Sequence, residues 1–71
     1  MDVRELRKLS DDKLHDQLED LKESLFNLRF QKAFGQLEDQ YAIRRTRRDV
    51  ARVLMIIRER ELAVEKEGSN G

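Results

Sequence analysis

Five leucines, Leu14, Leu18, Leu21, Leu25 and Leu28, recur at spacings of 4, 3, 4 and 3. At 3.6 residues per turn this heptad rhythm puts all five on one edge of one helix. No stretch shows the alternation of a half-buried strand. A helix with one apolar edge needs a facing edge to hold it in water, and the chain supplies one. Ile43, Thr46, Val50, Val53, Ile57 and Val64 form a seam of similar length and period, with Leu54 joined to it. Between the seams Gly35 predicts a left-handed helix stop, with Lys32 in the last turn before it. Gln36 to Glu38 form a short connection and Asp39 is a candidate cap for the next helix. Such a linker makes the two helices antiparallel neighbours. The expected fold class is all-α: an antiparallel, coiled-coil-like two-helix hairpin with helices at about 10–34 and 40–65, each arm ~36 Å long.

The start of the first long helix is marked by Ser10 as N-cap and by Asp11 and Asp12 in the first turn, where unpaired amides favour carboxylates. Leu9 and Leu14 can staple that start. Val3, Leu6 and Leu9, at spacing three, predict a short N-terminal helical segment folded back near the open end of the hairpin. Residues 1–67 make one domain, and 68–71 (Gly-Ser-Asn-Gly) are expected to be a disordered tail. Asp16, Glu19, Asp20 and Glu23, with Lys13 and Lys22, form an acidic solvated face. His15 lies off the seam as an ordinary surface residue.

Chemistry is scarce. The chain has no cysteine and one histidine, so it offers no disulfide and no evident metal site. It carries no glycine-rich phosphate loop and no paired carboxylates in an apolar setting. A two-helix hairpin also lacks concavity for a small-molecule pocket. An enzyme is not expected, nor a cofactor. Seventy-one residues bury a thin core, so full stability is expected to draw on a partner or on self-association. No apolar run approaches the ~20 residues of a membrane span, and no signal peptide is visible, which predicts a soluble, intracellular chain.

Function must therefore lie in surfaces. The formal net charge is zero, but Arg44 to Arg60 holds seven basic residues against Asp49 and Glu59. Arg44, Arg48 and Arg52, at i, i+4 and i+8, stack along one stripe, flanked by Arg47. The stretch from Ile43 to Arg52 contains no lysine, and the planar guanidinium fork suits phosphate oxygens. This stripe predicts an anionic partner. A second stripe is apolar: Phe26, Phe30, Ala33, Phe34 and Leu37 lie well around the first helix from the leucines. Phe30 and Phe34, with Tyr41 and Met55 on the arginine side of the second helix, are candidate partner-packing residues.

Several of these runs resemble one family. Leu28-Arg29-Phe30-Gln31, Gly35-Gln36-Leu37, Ile43-Arg44 and Arg47-Arg48-Asp49-Val50-Ala51-Arg52-Val53 are similar to the motif of large-subunit ribosomal protein twenty-nine. Glu5-Leu6-Arg7, Leu9-Ser10 and Leu25-Phe26 resemble that family's N-terminal half, so the likeness covers about residues 4–58. The resemblance implies a helical hairpin in the cytoplasmic ribosome, bound to large-subunit (23S-type) rRNA beside ribosomal protein twenty-three. It also implies a place near the exit of the nascent-chain tunnel, where nascent-chain factors dock. By the same resemblance, Arg29, Gln31, Gly35, Gln36, Arg44, Arg47, Arg48 and Arg52 are the RNA-contacting positions. The chain departs from the family at Leu54 and Met55, where a basic residue then threonine is usual, and at the loop residues Asp39-Gln40. The alternative reading is a protein-only coiled-coil dimerisation or adaptor module, since a leucine heptad can also pair between chains. Gly35 argues against it, because an uninterrupted zipper has no use for a helix stop between equal arms.

Overall fold

The computed structural model describes residues 2–69, with side chains as far as Val64. Three helices follow one another: α1 (Val3–Arg7), α2 (Asp11–Ala33) and α3 (Tyr41–Ser69). α2 and α3 lie side by side as the arms of a hairpin, and α1 packs on α3. The molecule is a narrow rod, 55 × 20 × 17 Å.

Each boundary has a local cause. Asp2 begins α1, its carboxylate accepting the Arg4 amide at 2.9 Å. Ser10 begins α2 as its spacing predicts, its Oγ accepting the Lys13 amide at 3.2 Å. At the other end of α2, Gly35 sits at φ 69°, the left-handed region where a side chain is strained. The Gly35 amide donates to the Lys32 carbonyl at 3.1 Å and the Gln36 amide to the Gln31 carbonyl at 2.8 Å. Together these two bonds make a Schellman closure that satisfies the last free carbonyls of the helix. Asp39 then opens α3, its Oδ1 accepting the Tyr41 amide at 3.0 Å. α3 extends to Ser69, past the expected end near residue 65. Of the expected tail, Gly68 and Ser69 belong to α3, while Asn70 and Gly71 lie outside the described residues.

The core is concentrated at the open end, where three helices meet. Leu6 of α1, Leu14 and Leu18 of α2, and Val53 and Ile56 of α3 are buried together. Leu21, Leu25 and Leu28 continue the leucine seam toward the turn but are only half-buried. Two helices in contact leave their flanks open to water; a third helix is what closes the core over Leu14 and Val53.

Three positions of the expected α3 seam need correction. Ile56 is buried, whereas the periodic reading passed over it. Val64, assigned to the seam, is 68% exposed, and Leu54 is also exposed. The reason lies in Arg60, whose guanidinium donates to Asp11 at 2.7 Å and to the carbonyls of Leu9 at 2.7 Å and Arg7 at 3.0 Å. Asp11 is the first residue of α2, so α3 runs past the end of its neighbour beyond Arg60 and Val64 has no facing leucine. α1 adds a further contact surface and turns the buried stripe toward Ile56. An ion pair between Arg7 and Glu59 at 3.2 Å reinforces that docking.

Candidate nucleic-acid interface

The turn end has a different character from the core. Lys32 on α2 and Arg44 and Arg47 on α3 line a groove of about 420 Å³, with Gln40, Tyr41 and Ile43 completing it. A second hollow of about 470 Å³ continues it toward α2, lined by Arg29, Lys32, Ala33, Ile43 and Arg47. Lys32, Ile43 and Arg47 belong to both. Helical spacing explains the convergence: Arg29 and Lys32 are three residues apart on α2, as Arg44 and Arg47 are on α3, and each pair shares a face. The half-buried Ile43 forms the floor from which these cations rise. None of the lining residues of either hollow is Asp or Glu, so each presents three cationic side chains, Lys32 and Arg47 being common to both.

The remaining arginines divide. Arg48 is exposed on the outer side of α3, so the expected Arg44, Arg48, Arg52 stripe widens beyond the groove. Arg52 is half-buried and pairs with Asp49 at 3.4 Å. Arg45 pairs with Asp39 at 2.6 Å. The Arg45 hydrogen bond holds the Asp39 carboxyl below the ordinary aspartate range, and the Tyr41 amide adds to the effect. Arg60 is spent on the α1–α2 junction. Of the residues that the family resemblance singled out, Arg44 and Arg47 line the groove and Arg29 lines the second hollow. Gln31, Gly35 and Gln36 are exposed around the turn, and a Cβ built on Gly35 meets nothing within 4 Å.

Sequence reading missed Lys32 as a groove residue, treating it only as a complement to the helix end. Its spacing of three from Arg29 was the available signal. The four candidate partner-packing residues are exposed: Phe30, Phe34, Tyr41 and Met55. Phe30 and Phe34 stack on each other, ring centroids 4.6 Å apart and tilted by 42°. Phe26, Leu54 and Leu62 are exposed as well.

Residues 4–60 match the family described as Ribosomal L29 protein. The chain belongs to that family. It is 57% identical over 63 residues to the large ribosomal subunit protein uL29 of Persephonella marina, covering 89% of this chain and 93% of that protein. Its identity to the uL29 protein of Geobacillus stearothermophilus is 52% over 66 residues, 93% of this chain and the whole of the relative. Against the uL29 protein of Saccharopolyspora erythraea it is 57% over 60 residues, 84% and 75% of the two chains. Proteins of this family are structural and non-enzymatic.

Proposed function

We propose that this chain is a structural constituent of the large ribosomal subunit in the cytoplasm, and that its turn end grips large-subunit rRNA. The ribosomal role follows from the family. The RNA contact is supported by one observation above the others: Lys32, Arg44 and Arg47, from two helices, line one groove, Arg29 lines the hollow that shares Lys32 and Arg47 with it, and neither lining contains a carboxylate. Cations gathered from two helices suit the phosphates of an RNA backbone, and arginine adds bidentate geometry. Arg48 and Arg52 extend the contact along α3. Gln31, Gly35 and Gln36 lie where an RNA backbone can approach the turn closely, since Gly35 has open space where a side chain would stand.

Binding through about four phosphates gives a slope of log K against log salt of roughly −3 to −4 by counterion release. Arg47→Ala flattens that slope by about one unit. Titration of rRNA fragments across salt concentrations checks both values, and an unchanged slope in the Arg44, Arg47 double alanine variant removes the groove from the interface.

The finer placement, beside ribosomal protein twenty-three near the tunnel exit and close to docking nascent-chain factors, rests on the family resemblance. In that arrangement Phe30, Phe34 and Met55 are covered by the assembled particle rather than by the chain's own fold. Phe34→Ala then weakens incorporation into the particle while leaving the helicity of the free chain unchanged. Incorporation assays and circular dichroism measure the two effects; loss of fold with normal incorporation per folded molecule would count against it.

A further inference from the structure

The groove at the turn holds a residue that phosphate binding does not require. Tyr41 lines it alongside Lys32, Arg44 and Arg47, and the tyrosine is 68% exposed. Its backbone is fixed, because the Tyr41 amide is held by Asp39 Oδ1 at 3.0 Å and Asp39 is itself held by Arg45 at 2.6 Å. The ring therefore projects from an anchored first residue of α3 rather than from a loose loop. The groove, about 420 Å³, is a half-open hollow rather than an enclosed pocket, so it can admit a base while the strand that carries it stays outside. A continuous RNA duplex presents phosphates and riboses at its surface and keeps its base faces stacked inside. Against such a surface Tyr41 can donate its hydroxyl to a phosphate or lie on a ribose edge, but the π-face of the ring meets no base. An unpaired nucleotide offers both features at once: a base face for the ring and phosphates for the cations around it.

We propose that this groove receives one unstacked nucleobase of the bound RNA on the ring of Tyr41, with Arg44, Arg47 and Lys32 on the adjoining phosphates. Gln40, also in the lining, adds a side-chain amide of the kind that can pair with a base edge. A protein segment filling the same space would have to be acidic to match three cations, and nothing in the groove favours a peptide over a nucleotide. The inference rests on the RNA-binding reading and adds to it the kind of RNA: a bulge, loop or strand end rather than an uninterrupted helix.

The test uses the full chain and two RNA hairpins that differ in one feature. In one, a single 2-aminopurine nucleotide is bulged; in the other it is paired. The wild-type chain binds the bulged hairpin more tightly and quenches its 2-aminopurine fluorescence. Tyr41→Leu loses the quenching and weakens binding to the bulged hairpin by roughly 5- to 150-fold, the worth of one base–aromatic stack. Binding of the paired hairpin stays unchanged, and Tyr41→Phe keeps both properties. Because Tyr41 is exposed, circular dichroism of the variants reports the wild-type helicity. Equal affinity of wild type for the two hairpins, or equal weakening of both by Tyr41→Leu, overturns the stacking while salt-dependent binding survives. If neither hairpin binds with a salt-dependent affinity, or if Arg44→Ala and Arg47→Ala leave both affinities unchanged, the RNA reading itself falls and the stacking with it.

Discussion

Arg60 is the residue whose role most departs from its sequence context. It sits in an arginine-rich helix and looks like one more surface cation, yet its guanidinium gathers Asp11 and the carbonyls of Arg7 and Leu9. The Arg7 carbonyl ends α1, where a helix leaves its carbonyls without an intrahelical partner, and the Leu9 carbonyl lies in the connection to α2. Arg60→Ala removes three bonds at a site only 30% exposed at the side chain, a loss on the order of 1–3 kcal/mol. In a domain of this size that lowers the melting temperature by about 4–8 °C per kcal/mol, which calorimetry measures; RNA affinity per folded molecule stays the same. Asp39 gives a pH-dependent counterpart. Its folded pKa lies below the ordinary 3.8, so its ionised carboxylate supports the start of α3 above that value, and the support is lost as pH falls through the lowered one. Hydrogen-exchange protection of Tyr41 and Ala42 is expected to drop on acidification in the wild type and to show no such transition in Asp39→Asn.

Among the elements, the two long helices and their turn were legible because each signal was local. Ser10 caps, Gly35 stops, and the leucine spacing sets the face; all three depend on residues within one or two turns. What the spacing did not contain was the depth of burial along the seam. Leu14 and Leu18 are buried while Leu21, Leu25 and Leu28 are half-open, although all five look alike in the sequence. The difference is made by α1, five residues long, which arrives from outside the repeat. The same arrival explains why Ile56 was missed and Val64 misplaced, since a seam extrapolated from one partner cannot register a second. The groove was partly legible: Arg44 and Arg47 stood out by composition and Arg29 through the family resemblance, whereas Lys32 joins them only across the hairpin. Leu14→Ala, at a fully buried position, is expected to cost about 2–5 kcal/mol, while Leu28→Ala near the turn costs clearly less. Urea midpoints for the two variants compare them directly. Gly35→Ala meets no steric obstacle but forces a side chain into the left-handed region, a cost of roughly 1–2 kcal/mol.

On the scale of the whole molecule, the distribution of charge along the rod matters more than its total. Residues 25–52, which flank the turn, carry seven Lys/Arg against three Asp/Glu, a net of +4. The rest of the chain carries eight against twelve, a net of −4. Opposite poles on a 55 Å rod give a neutral protein a large permanent dipole moment. A polyanion exerts a torque on that dipole before it exerts any net pull, so in the proposed RNA contact the rod would swing turn-first while still separated from the RNA surface. The torque acts over about a Debye length, ~8 Å at physiological ionic strength and ~30 Å at 0.01 M. Association rates with RNA should therefore fall with salt even though the chain has no net charge. Reversing Asp16 and Glu19, far from the groove, should slow the correctly aligned encounter at low salt while making the protein more cationic overall. A neutral chain of this shape, set in the field of a polyanion, would behave like a compass needle.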